Sequence, residues 1–184
     1  MLLLFGVLDD VPATTPTAVV ARELDVLLVR RADTLTDHPG QISFPGGRID
    51  DSDDGAVGAA LREAEEETGL DPSGVEVIGT IPELPLPVTN YRVTPVLGWW
   101  SRPSPVRAVD SRESAEVFRV PVADLVDPER RRSVRLDTPS GSLTTPGFLA
   151  NGHLIWGFTA YVLDRLLEHL GWAVPWDASR TVSI

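Results

Sequence analysis

Glu63, Glu66 and Glu67 stand at i, i+3 and i+4 in the segment GAVGAALREAEEETGL, and at 3.6 residues per turn this spacing brings three carboxylates to one side of a helix. The helical reading of 55–68 rests on its alanine content, on Asp53 or Asp54 placed to cap its start, and on Gly69 just past its last turn. Like charges at these spacings repel, so a chain that keeps them adjacent loses stability unless a cation lies among them. Hard oxygen donors select Mg2+ or Mn2+, and those ions in turn bind phosphate oxygens. Taken alone, the run reads as a solvated acidic helix face, the usual fate of charge runs.

The surrounding charge is lopsided. Between Asp50 and Glu67 eight carboxylates stand against Arg62 alone, within a chain whose 16 basic and 27 acidic residues give a net charge of −11. That is the wrong sign for a polymeric nucleic acid as partner, because gripping one depends on neutralising its phosphates. With no cysteine there is no disulfide, thiolate metal site or cysteine nucleophile, so any metal is held by oxygen or imidazole. No apolar run approaches the roughly 20 residues of a membrane-spanning helix. The opening MLLLFGV is too short for a signal peptide and lacks a basic lead-in. It reads as a first strand, in a cytoplasmic protein without a membrane partner. A length of 184 residues suits one hydrophobic core, hence a single domain over 1–184.

Short β-branched or aromatic stretches at 2–7, 25–31, 75–81, 91–100 and 116–122, bounded by Gly, Pro, Asp and Asn, predict strands. The segment DDVPATTPTAVVAREL between the first two reads as a variable loop, with residues 18–21 able to extend a hairpin. A second helix is predicted over 154–170, with Leu154, Ile155, Phe158, Val162, Leu166 and Leu170 as its apolar stripe. Arg130, Arg131, Arg132 and Arg135 read either as plain surface charge or as a phosphate-binding patch. The tail, 171–184, carries two tryptophans without periodicity, and reads as an arm or a homodimer contact.

Upstream of the helix, Phe44, Pro45, Gly46 and Gly47 lead into an acidic loop, and glycine lets backbone approach a metal or phosphate closely. This loop and helix resemble the signature of the Nudix family, G-x5-E-x7-R-E-U-x-E-E-x-G-U with U aliphatic. Arg62, Glu63, Ala64, Glu66, Glu67, Gly69 and Leu70 stand in register with its second half. Asp54 replaces the first glutamate, and six residues rather than five separate it from Gly47. The extra residue is typical of one branch, the coenzyme A pyrophosphatases, which carry LLTxRSxxLRxHxGQVxFPGG ahead of the box. Residues 27–47 read LLVRRADTLTDHPGQISFPGG here. Leu27, Leu28, Arg31, Leu35, His38, Gly40, Gln41, Phe44, Pro45, Gly46 and Gly47 coincide, Ile42 is a mild change, and Val29, Ala32 and Thr36 depart.

The resemblance implies an α/β fold, the Nudix α/β/α sandwich with a mixed β-sheet and a loop-helix-loop motif at about 46–70. It implies that Glu63, Glu66 and Glu67, with the Gly46 carbonyl, hold Mg2+ or Mn2+, and that Arg62 fixes a glutamate by an ion pair. The expected substrate is a nucleotide-linked small molecule, coenzyme A or acyl-CoA, cleaved at its diphosphate to 3′,5′-ADP and (acyl-)phosphopantetheine. The alternatives are a Nudix hydrolase of another substrate (ADP-ribose, a dinucleotide or a nucleoside triphosphate) and a non-catalytic Nudix-fold binding module.

For the base that accepts water's proton, the resemblance allows a helix glutamate or one from a later loop. Glu113 and Glu116 resemble that later acidic segment, and a solvated loop is their other reading. His38 either braces a turn or contacts substrate phosphate. Arg30 and Arg31 alternate across a strand, so only one can face a shared cleft, and Arg31 occupies the motif position. With Gly46 and Gly47, Arg31 and His38 form the expected substrate-binding set. Trp99 and Trp100 likewise point oppositely. A serine nucleophile finds no support, since no serine lies in an elbow pattern.

Overall fold

The structure, a computed structural model, describes residues 1–7, 20, 23–86, 91–138 and 141–184. Most of the loop expected between the first two strands, residues 18 and 19 included, lies outside them. The described residues divide into two compact units, one lying within 1–7 and 25–119 and the other within 8–24 and 120–184.

The first unit is built on strands β1 (Leu2–Val7), β2 (Leu24–Arg31), β3 (Ile42–Ser43), β4 (Val75–Thr80), β5 (Leu84–Leu86), β6 (Tyr91–Val93), β7 (Val96–Trp100) and β8 (Ser114–Pro121), with helix α1 (Gly55–Thr68). The main sheet runs β3-β2-β1-β7-β4, with β8 also paired to β2. It is mixed: β1 lies parallel to β7, β4 antiparallel to β7 and β3 antiparallel to β2. Leu2, Leu3 and Leu4 of β1 and Val26, Leu27, Leu28 and Val29 of β2 are all buried, the near-continuous apolar run of strands covered on both faces. Each buried leucine contributes on the order of 2 kcal/mol.

α1 lies on this sheet through small side chains. Ala60 and Ala64 pack with Leu2, Leu4, Leu27, Val96 and Trp100, and a face of alanines lets the helix approach the strands closely. The carboxylates are thereby turned away from that core. At the helix end the Thr68 hydroxyl donates to the Ala64 carbonyl (2.6 Å) and accepts from Leu70 N–H (3.2 Å), and Gly69 adopts the left-handed cap.

The single strand expected over 91–100 is two. Pro95 lacks an N–H for the ladder, and β5 and β6 form a separate two-stranded sheet. Trp100 is buried at 2% exposure, with the Arg119 guanidinium 4.9 Å from its ring centroid. Arg119 in turn pairs with buried Asp25.

In the second unit a short helix α2 (Val122–Val126) precedes β9 (Arg131–Thr138), β10 (Gly141–Ala150), β11 (His153–Ile155), helix α3 (Gly157–His169) and β12 (Thr181–Ser183), with sheet order β11-β10-β9-β12. The helix expected over 154–170 therefore starts later, and Leu154 and Ile155 belong to a strand. The reason is local: Asn151 (φ 49°) and Gly152 (φ 77°) both take the left-handed conformation of a two-residue hairpin turn, which pairs Ala150 with His153. The buried face of α3 is Thr159, Ala160, Val162, Leu163 and Leu167, while Leu170 is exposed.

The arginine run is no open basic patch. Arg131 is 2% exposed, pairs with Asp164, and lies 4.2 Å from the Phe148 ring centroid and 4.8 Å from that of Trp176. Arg130 meets Asp124 and Asp127, Arg132 donates to the Glu129 carbonyl, and Arg135 bonds Asp137 and Ser142. The tail 171–184 contributes β12, parallel to β9.

Candidate active site

The loop before α1 is fastened to β1 by the Leu2 N–H, which donates to the Pro45 carbonyl at 2.8 Å. Two glycines then pass where no side chain fits. A Cβ on Gly46 (φ 151°) would lie 2.5 Å from the Met1 Cα, and one on Gly47 would lie 2.2 Å from Glu63 Oε1. The Gly46 N–H donates to Glu67 Oε2 at 3.0 Å. Loop backbone is thus laid directly against Glu63 and Glu67, one helical turn apart.

Arg62 organises the approach to the helix. Its Nε and Nη2 each reach a carboxylate oxygen of Asp53 at 2.9 Å, a bidentate fork, and Nη2 also donates to the Arg48 carbonyl at 3.0 Å. Its Nη1 donates to Glu63 Oε1 (3.1 Å) and Glu66 Oε2 (3.0 Å). The guanidinium pKa rises accordingly, chiefly through the bond to Asp53. The Asp53 carboxyl is held down at about 2, first by Arg62 and then by the Asp50 N–H, which donates to it at 2.8 Å. Asp54 occupies the N-cap position, yet its side chain makes no capping bond. Sequence reasoning gives Asp53 only a share in capping; its place opposite Arg62 depends on the loop's turn, which residue spacing does not encode.

Glu67 is the perturbed acid. Its carboxyl is pushed up to about 7, mainly by burial, with the charges of Glu63 and Glu113 adding to the rise; the Gly46 N–H and the Arg31 guanidinium oppose it. These residues come from four separate stretches of chain. Glu113 arrives through a turn at 111–113, whose carbonyl at Glu113 accepts the Ala32 N–H at 2.9 Å beyond the end of β2. Glu116 lies further on, exposed in β8.

The two arginines at the end of β2 divide as alternation requires. Arg30 forks onto Asp33 at 2.7 and 3.0 Å, whereas Arg31 acts on Glu67. Arg31 Nη2 donates to the Asp37 carbonyl at 3.4 Å, and among the described residues its buried Nε has no hydrogen-bond partner. His38 adopts φ 55°, and its carbonyl accepts the Gln41 N–H at 3.3 Å, so its backbone makes the turn that returns the chain to β3.

Among the described residues no three His, Asp or Glu side chains are gathered into one ready-made metal cluster. Glu66, with 57% of its side chain exposed, is drawn outward toward Arg62, while Glu63 is only 19% exposed. Glu63 and Glu67 remain beside the loop backbone as hard oxygen donors. One or two carboxylates completed by water and substrate phosphate is the arrangement Mg2+ favours, so the residues present fit such an ion.

Mixed sheet, alanine-faced helix and glycine loop against a glutamate pair find their class in comparison with known proteins. Residues 12–137 match the NUDIX domain model, and the chain belongs to this family, as a Nudix hydrolase with the α/β Nudix fold. It is 39% identical over 146 residues to an uncharacterized Nudix hydrolase, NudL, of Escherichia coli strain K12, covering 79% of this chain and 75% of that one. The counterpart from Shigella boydii is 38% identical over the same length. Among solved structures, the Nudix hydrolase RenU of M. smegmatis superposes with a TM-score of 0.59 at 20% identity, over 96% of this chain and 86% of that one. Nudix hydrolases generally use divalent ions such as Mg2+ or Mn2+. Among the described residues no helix is long and apolar enough to cross a membrane.

Proposed function

We propose that this Nudix hydrolase cleaves the diphosphate of coenzyme A or acyl-CoA, giving 3′,5′-ADP and (acyl-)phosphopantetheine, with Mg2+ or Mn2+ as cofactor. The observation that carries this reading is the Gly46–Gly47 backbone laid against Glu67 and Glu63, with the charges of Arg31 and Glu113 acting on the same Glu67 carboxyl. Arg31, Gly46 and Glu67 belong to the two stretches that resemble the coenzyme A branch, residues 27–47 and the helix that follows.

In this reading Glu63 and Glu67, with the Gly46 carbonyl, would hold the ion, and Glu66 would join them on release from its Arg62 contact. When bound it supplies Lewis acidity at a phosphoryl oxygen and makes water a better nucleophile. Water attacks one phosphorus, the bridging P–O bond breaks in line, and the Glu113 carboxylate accepts the water proton. Arg31 offers its guanidinium, and His38 its ring, to phosphate oxygens. Arg62 positions rather than reacts: it holds Glu63 and Glu66 while anchored on Asp53. Gly47 leaves the Glu63 carboxylate the space a side chain would fill.

The test is to incubate the pure protein with coenzyme A and either metal and to follow 3′,5′-ADP by chromatography. Its appearance, with coenzyme A preferred over ADP-ribose, dinucleotides and nucleoside triphosphates, is the expected result. No product at any metal concentration defeats the substrate assignment.

A further inference from the structure

Arg48 and Tyr91 form an exposed pair beside the carboxylate helix. Arg48 follows Gly47 directly, and its carbonyl accepts Arg62 Nη2 at 3.0 Å, so its backbone is pinned to the guanidinium that also holds Glu63 and Glu66. From there its side chain reaches β6. Nη2 donates to the Tyr91 hydroxyl, and the guanidinium carbon lies 5.3 Å from the ring centroid. Tyr91 keeps 49% of its surface in solvent, on the small β5–β6 sheet that stands apart from the main one.

Packing does not account for this pair. Both side chains are exposed, and an exposed cation–ring contact adds little to stability. A long, flexible arginine is nonetheless tied to a ring on another strand, one residue from the Gly47–Glu63 contact. A half-exposed ring fixed by a neighbouring cation is a platform on which a planar heterocycle stacks, and arginine's planar fork matches phosphate oxygens.

We propose that Arg48 and Tyr91 recognise the nucleotide end of the substrate, the nucleobase stacking on Tyr91 and the Arg48 guanidinium pairing with a phosphate oxygen. This rests on the reading of the site as one for nucleoside diphosphate-linked compounds. It adds two residues outside the signature positions and makes them determinants of binding rather than of bond cleavage.

The experiment is calorimetric titration of the full chain with ADP and with adenosine, in chelator, using wild type, Tyr91→Leu, Tyr91→Phe and Arg48→Gln. Tyr91→Leu is expected to weaken both probes about tenfold, and Tyr91→Phe to stay within about threefold of wild type. Arg48→Gln is expected to weaken ADP about tenfold and leave adenosine unchanged. With metal and a substrate that wild type turns over, Tyr91→Leu raises KM with kcat held. Wild-type affinity for ADP in Tyr91→Leu, equal losses in Tyr91→Phe and Tyr91→Leu, or no ADP binding by wild type each overturns the assignment. Failure of wild type to hydrolyse any nucleoside diphosphate-linked compound instead defeats the reading of the site, because the titrations are made without turnover.

Discussion

Arg62 grips Asp53 with two parallel hydrogen bonds of 2.9 Å, from Nε and Nη2 to the two carboxylate oxygens. The fork ties the loop to α1 and leaves Nη1 to steer Glu63 and Glu66. Asp54, although it stands where the family signature has its first acid, makes no capping bond. Asp53→Ala is therefore expected to lower kcat/KM by about tenfold or more, the size of effect that displaced catalytic groups produce, while Asp54→Ala changes it little. Steady-state kinetics of the two variants side by side decides the matter, and equal losses would sink it.

The same fork makes the fold sensitive to acid. The Asp53 carboxyl is held at about 2 against its ordinary 3.8, so its ionised form stabilises the folded state. That contribution is complete above 3.8 and disappears as pH falls through about 2. Melting curves of wild type and Asp53→Asn should differ most near neutrality and converge toward the acid end. A gap that stays constant across that window would show that Asp53 is not the titrating group.

Glu66→Gln and Glu67→Gln keep size and remove charge. Each is expected to cut kcat by on the order of a hundredfold or more with the circular dichroism spectrum unchanged, and chelator should abolish wild-type turnover until Mg2+ or Mn2+ is restored. Near-normal turnover in both variants would mean that the ion is held elsewhere.

Gly47→Ala places a methyl group 2.2 Å from a Glu63 oxygen, too close to keep, so the carboxylate must move. We expect weaker Mn2+ binding by calorimetry and a kcat reduced about tenfold, with melting temperature little altered because Gly47 is itself exposed. Unchanged Mn2+ affinity would separate Gly47 from the metal site.

The first unit was legible in the chain because its signals are local. β1 and the centre of β2 are apolar runs, and α1 has a glycine stop, so their boundaries lie close to those expected. Glu63 and Glu67 could be placed together because helical periodicity fixes neighbours one turn apart. Loop geometry and long-range pairing were not legible. Only the folded loop chooses Asp53 over Asp54 for Arg62, and only the β6 strand brings Tyr91 to Arg48. In the second unit, Leu154 and Ile155 fit a helical stripe as well as a strand, and the Asn151–Gly152 turn decided between them. Arg131 looked superficial because charge in a sequence carries no record of the carboxylate and rings that will enclose it.

That enclosure has a mechanical meaning. Strand β9, strand β10, helix α3 and the stretch around Trp176 all meet at one planar cation, so no single piece can peel away without stripping the others of a contact. Amide protons of α3 and β12 should accordingly exchange with deuterium in step, and trimming Arg131 to alanine should speed both together.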